Sequence, residues 1–338
     1  LLAAVPAHLR LALAQLQPMA ALVPAVLVQE SIEAADDGQR YLRALCRSRW
    51  LRRHCDGCAE LETQAETAGE ALRHYAAALA REIAPVSAGN AGCGGEHLRF
   101  LLRHRHLLDV DPRACVPLLE RLAAECEARL AKLPAPASGS RRTPQQAAPR
   151  DLLRAECGAM AERVERTLGI RLPPAPLRIA GGPACPRPGD GRIDYVPDLS
   201  NAEGVLYIPD GHEPCMGEST PAELRLRCAR LGWGGRHALT FSGGIAARSL
   251  ARRLAAADAL SGGWALYLER QLFDATGDDA ERRAALLRRR QAIAAARVDL
   301  ELHCGTIDAT AAAARMRQPS APPAPKPLHQ IAQVVRHP

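Results

Sequence analysis

The sequence predicts a mainly α-helical protein carrying one small antiparallel β-hairpin. Three observations lead there. Apolar residues recur at three- and four-residue spacing through most of the chain. Capping residues, prolines and glycines bracket several of those runs. Only two short segments have the composition of strands.

Residues 1–135 read as an N-terminal helical part. Glu30–Arg49, Leu61–Ile83, Glu96–Leu107 and Arg113–Leu133 each carry an apolar face. Asp111 followed by Pro112 is an N-cap with proline at the first helical position, and Pro134 closes that helix. Residues 136–150 are Pro-, Ser- and Gln-rich and read as a flexible linker loop, its Arg141–Arg142 pair solvated. A C-terminal helical part spans 151–318. It opens with a helix over Asp151–Leu168, capped by Asp151 and ended by Gly169. The Pro-rich stretch Leu172–Gly191 reads as loop. Arg192–Val196 and Gly204–Ile208 are the two β-like runs, and their turn-rich spacer makes them a hairpin. Pro221–Met316 is helical again, including a long helix from Asp278 to His303. Residues 319–338 form a Pro-rich extended tail. The parts are expected to make one compact domain.

Composition narrows the function. With 338 residues, 47% hydrophobic and 24% charged, the chain can bury a core without disulfides. Aromatics are only 3%, too few for a base-stacking platform. The net charge of +7 is spread along the chain rather than clustered, so no nucleic-acid partner is expected. Lys132 and Lys326 are the only lysines, which removes Schiff-base chemistry and a phosphate-loop Lys. The 11 cysteines show no regular spacing and fall mostly in helical runs, so they read as small buried hydrophobes in a reducing, cytoplasmic compartment. Cys55 and Cys58 beside His54 form one CxxC without the second pair a zinc site needs. The most apolar stretch, Leu11–Val28, is broken by Gln15, Gln17, Pro18 and Pro24, so no membrane span is expected. The chain opens on Leu1-Leu2 with no leader pattern, which suggests a fragment or a processed form.

Other clusters are weak. His212-Glu213-Pro214-Cys215 is interrupted by its proline, and His104 and His106 point to opposite sides of a helix. Gly89–Gly95 follows no strand.

The informative region is Leu226–His303. It holds Arg230-Leu231-Gly232-Trp233-Gly234-Gly235-Arg236-His237, then Gly262-Gly263-Trp264-Ala265-Leu266-Tyr267-Leu268-Glu269, then Val298-Asp299-Leu300-Glu301-Leu302-His303. This pattern resembles the bacterial domain-of-unknown-function 885 family, whose members look like helical zinc metallopeptidases. Its hallmarks are His-Glu-x-x-Pro-Gly-His-His, Glu-Gly-Trp-Ala-Leu-Tyr-x-Glu and Val-Asp-x-Gly-x-His. Gly94–Leu102 and Leu107–Asp111 resemble the family's upstream segment. The resemblance covers most of the chain, which stops at His337-Pro338 just before the family's Gly-Gln-Ala-x-Ser-Tyr stretch.

The departures bear on chemistry. A catalytic zinc takes about three protein ligands, with a carboxylate to accept the water's proton. Arg230 stands at the family's first His, Leu231 at the adjacent Glu, Arg236 at the first His of the pair, and Gly262 at the Glu before Gly-Trp. Only His237 remains. Arg stays protonated and offers no lone pair to a metal. The resemblance therefore implies a degenerate metal motif with no cofactor, the hairpin lying beside the former active site. Arg230, Arg236, His237, Trp264, Tyr267 and His303 then become candidate ligand-binding residues, lining a cationic pocket for a small anionic or peptide-like ligand. Each has a plainer alternative: arginines paired with local acids, Trp264 and Tyr267 packed in the core, His303 at a helix end favoured by the dipole. Glu269 reads as solvent-exposed or ion-paired. A second reading is a metal-free enzyme of different chemistry, in which fixed positive charge assists elimination, ring closure or group transfer. A third is a structural subunit whose partner chain supplies the missing C-terminal segment.

Overall fold

The computed structural model describes residues 1–47, 58–134, 149–182, 194–198, 201–209, 220–244, 258–274 and 276–316. His54 and Cys55, the linker up to residue 148, His212–Cys215 and the tail from residue 319 lie outside the described residues. The expected mainly helical class holds. In chain order the elements are α1 (Val5–Leu16), α2 (Ala25–Arg47), α3 (Cys58–Ala78), α4 (Gly95–His104), α5 (Pro112–Ala131), α6 (Pro149–Leu168), β1 (Leu177–Gly182), β2 (Asp194–Asp198), β3 (Glu203–Pro209), α7 (Pro221–Leu231), α8 (Arg236–Leu239), α9 (Asp258–Phe273), α10 (Asp279–His303) and α11 (Ala309–Met316). Among the described residues no helix is long and apolar enough to cross a membrane.

Local chemistry sets several of these boundaries as the sequence predicts. Asp111 caps α5, accepting from the Arg113 N–H, with Pro112 at the first helical position. Asp278 caps α10, accepting from the Ala280 and Glu281 N–H groups. Asp151 is not a cap: α6 starts two residues earlier at Pro149, whose fixed φ suits the first turn. Asp151 instead pairs with Arg154 one turn on, at 2.5 Å.

The small sheet is larger than a hairpin. β2 and β3 pair antiparallel as expected, Tyr195 opposite Leu206. A third strand, β1, runs parallel to β3 on its other side, giving the order β1-β3-β2. β1 lies in the stretch read as loop, because prolines on both sides hide the short Leu177-Arg178-Ile179 alternation. The central strand β3 buries Leu206 and Ile208 completely against the main hydrophobic core. That core also takes Leu153, Met160 and Val164 of α6, Leu224 and Leu226 of α7, and Leu268 and Leu272 of α9.

α10 is the spine. Its 25 residues span about 37 Å. Leu286 and Ile293 meet Cys126 and Leu130 of α5. Val298 and Leu302 meet Val26 of α2 and Ala312 and Ala313 of α11. Ala285 belongs to the main core. Ion pairs reinforce this arrangement. The buried Glu281 receives Arg163 of α6 at 2.8 Å and Arg225 of α7 at 3.0 Å, and Asp274 receives Arg129 of α5 and Arg289 of α10.

Candidate functional site

The motif region is built on α7, α8 and α9. α7 starts with a reciprocal cap: Thr220 accepts from the Glu223 N–H, and the Glu223 carboxylate accepts from the Thr220 N–H. Its buried face, Leu224, Leu226, Cys228 and Ala229, leaves Arg230 half-buried in the last turn. The Gly-Trp-Gly-Gly turn then folds the chain sharply back. A side chain at Gly235 would collide with the Arg230 carbonyl, and one at Gly234 would press on Leu268 and Val164 at 2.8 and 2.9 Å. This turn therefore needs residues without Cβ.

His237 stands at the centre and is fully buried. Its Nε2 lies 3.0 Å from the Ala175 carbonyl oxygen, so that nitrogen carries the proton and donates. Nδ1 then accepts from the Tyr195 hydroxyl of β2 at 3.1 Å. Trp233, Tyr195 and Phe241 surround the ring, with centroids 4.9, 5.7 and 4.8 Å away. Gly204 of β3 admits the ring, because a Cβ there would strike both His237 and Tyr195. Burial holds the imidazole below its ordinary pKa, against the opposing pull of the Ala175 carbonyl. Burial also pushes the Tyr195 phenol up to about 12, opposed by Thr240 and the Arg236 charge. Both groups are neutral at physiological pH, and both ring nitrogens of His237 are engaged within the protein.

Arg230 faces Glu269 of α9, Nε to Oε1 at 2.7 Å. Glu269 is fully buried, which corrects the solvent-exposed reading and supports the ion-paired one. The contact is close but poorly directed, and neither carboxylate oxygen has a well-formed hydrogen bond. Burial raises the Glu269 pKa, with the Arg230, Arg288 and Arg289 charges opposing. On the same helix Trp264 donates from Nε1 to the Gly234 carbonyl at 2.6 Å and lies 5.6 Å from the half-exposed Tyr267 ring. Arg236 is exposed, and among the described residues no ion pair engages it.

Arg230, Arg236, His237, Trp264 and Tyr267 thus share one neighbourhood, whereas His303 does not. It is fully buried at the end of α10, where Nδ1 accepts from the Cys93 N–H at 3.1 Å and Nε2 faces Asp299 at 3.4 Å. Burial lifts the Asp299 carboxyl to about 7. A cavity of about 170 Å³ lies nearby, lined by Glu96, Arg99, Asp111, Arg113 and Cys304. Sequence reading missed Tyr195 and the Ala175 carbonyl. The alternation of β2 signals an inward Tyr195, but nothing in the sequence ties it to His237. Among the described residues no group of three or more His, Cys, Asp or Glu side chains could hold a metal ion.

These features define a class: a large helical protein with a small mixed sheet, its motif helices closed over a buried, aromatic-lined histidine. The chain belongs to the family described as "Bacterial protein of unknown function (DUF885)", whose model matches residues 1–326. Among solved structures it is similar to the crystal structure of a "putative lipoprotein" from Colwellia psychrerythraea, with a TM-score of 0.70 and 13% identity. The match covers 93% of this chain and 60% of that one, so this chain spans about three fifths of the neighbour's length. At this identity the likeness shows the fold alone. No curated protein matches.

Proposed function

We propose that this protein is a metal-independent, metallopeptidase-like member of its family that binds a small anionic or peptide-like ligand without hydrolysing it. The contact between Arg230 and Glu269 carries the reading. At the position of the family's first histidine stands a cation that rests on a buried carboxylate at 2.7 Å. The zinc implied by the resemblance does not fit the donors present. Arg230 and Arg236 offer no lone pair, Leu231 and Gly262 have no donor, and His237 gives both nitrogens to protein partners.

Ligand recognition falls to the outward side of the same neighbourhood. Arg236 is exposed and free to make a two-pronged contact with a carboxylate or phosphate. Half-exposed Tyr267 and half-buried Trp264 offer an aromatic surface on the adjoining helix. The inner layer, His237 with Tyr195 and Arg230 with Glu269, holds this surface in place.

Two measurements on the purified chain test the proposal. After dialysis against zinc, elemental analysis should find far less than one zinc per chain. Stoichiometric zinc together with peptide hydrolysis overturns it. In thermal-shift titrations with phosphate and with short acidic peptides, at least one should raise Tm in the wild type and leave Arg236→Ala unmoved. Equal shifts in both proteins would remove Arg236 from the site.

A further inference from the structure

Cys157 of α6 and Cys228 of α7 touch through their sulfurs, Sγ to Sγ at 3.2 Å, inside the main hydrophobic core. Each is buried, at 5% and 1% exposure. Neither belongs to the motif residues, and neither has a role in the reading above. A disulfide needs its sulfurs about 2.05 Å apart, so closure asks for an approach of only about 1 Å. The two helices already pack together, and the pair shares its core cluster with Leu153, Met160 and Leu224.

We propose that Cys157 and Cys228 are a disulfide-forming pair that cross-links α6 to α7 when the chain folds in the presence of a small-molecule disulfide. The chemistry is exchange. One cysteine, as thiolate, attacks the small disulfide, forming a mixed disulfide and releasing one small thiolate. The second cysteine attacks the mixed disulfide at the protein sulfur, forming the Cys157–Cys228 bond and releasing the second small thiolate. The two protons lost by the cysteines end on the two small thiols. The two electrons pass from the cysteine pair to the small disulfide.

Burial dictates when this happens. In the closed core no oxidant reaches either sulfur, and the Cys228 thiol is held protonated by its contact with Cys157 and by burial. Exchange therefore precedes the docking of α7 on α6, and the finished bond is shielded from reductant. In a reducing compartment the same two sulfurs stay as packed thiols, so the state of the pair reports where the chain folded. The bond closes a loop over a separation of 71 residues that contains the described three-stranded sheet, and it anchors the helix that carries Arg230 in its last turn.

The test refolds the full chain from denaturant with oxidised and reduced glutathione, blocks remaining thiols, and maps cross-linked peptides by mass spectrometry without reduction. The expected result is a dominant peptide pair joining Cys157 to Cys228, lighter than its reduced components by two hydrogens. Full alkylation of both cysteines, or pairing of either with another cysteine, overturns the proposal. A second reading uses stability. The oxidised chain should melt roughly 5–10 °C above the reduced one, a difference that Cys228→Ala abolishes. An undiminished difference in Cys228→Ala would assign the effect to other cysteines and overturn it equally. If that variant does not fold, the wild-type peptide map decides alone.

Discussion

Two buried carboxylates sit on neighbouring helices and meet their arginines very differently. Glu281, in the first turn of α10, takes Arg163 at 2.8 Å, Arg225 at 3.0 Å and the Thr276 hydroxyl at 3.0 Å. Glu269, on α9, faces Arg230 at 2.7 Å with neither oxygen well bonded. The first is a knot joining α6, α7 and α10. The second is a single contact between α7 and α9, at a position where the family resemblance implies a metal site. A buried charge is tolerable when its hydrogen-bonding capacity is met, and it strains the fold when it is not. Glu281 therefore belongs to the architecture. Glu269 belongs to the motif region, on which the proposed function rests.

The largest expected effect comes from cutting the knot. Glu281→Ala removes the carboxylate shared by two partly buried guanidinium groups, leaving Arg225 to Glu156 and Arg163 to the Leu272 carbonyl, and should lower unfolding free energy by about 3 kcal/mol, measured by urea denaturation. A loss under about 1 kcal/mol would mean that water replaces the carboxylate and that the knot is not structural.

Gly204→Ala attacks the motif region from the sheet side. Its methyl group would press on His237 and Tyr195, costing about 2 kcal/mol and altering the fluorescence of Trp233 beside them. Unchanged stability and emission would show that the histidine's seat is loose.

Glu269 should respond unlike Glu281. Glu269→Gln should cost only about 1 kcal/mol, because so little hydrogen bonding is lost. The double variant R230M/E269L should be neutral or more stable, since a well-packed apolar pair avoids desolvating two charges. Strong destabilisation of both would make the two carboxylates alike and end the distinction.

Two titrations sharpen the picture further. Asp299 binds its proton at about 7 in the folded chain against 3.8 ordinarily. The folded state then holds the extra proton between those values. Its contribution is full below about pH 4 and is lost as pH rises to about 7. His237, lowered from 6.5 by burial, acts oppositely: stability is lost as pH falls below 6.5. Asp299→Asn should flatten the first slope and leave the second, as read by Tm across pH. The smallest effect is that of Arg236→Ala, within about 0.5 kcal/mol in stability, because its side chain is exposed and no ion pair engages it among the described residues.

Much of the fold was legible because its signals are local. Periodicity marked α2, α3 and α5, and Asp111-Pro112 and Asp278 marked the starts of α5 and α10. The motif segments pointed to α7, α8 and α9 as the candidate site through resemblance. Other features depend on residues far apart in the chain. Glu269 gives no sequence sign of complete burial, because its partner Arg230 lies on another helix. β1 was invisible because a six-residue strand is defined by its neighbour β3, not by its own composition.

The sequence by itself determined the helical class, the Asp111 cap of α5, and the residue types at Arg230, Leu231, Arg236 and Gly262, whose side chains offer no lone pair to a metal, since those follow from residue type and short-range spacing. Only the tertiary structure decided which candidates meet. It closed His237 between Tyr195 and the Ala175 carbonyl, set Arg230 on Glu269, placed Cys157 against Cys228, and sent His303 to Cys93 and Asp299 instead of to the motif. Burial and pairing arise when distant segments pack, and no local pattern encodes which buried group will find its partner.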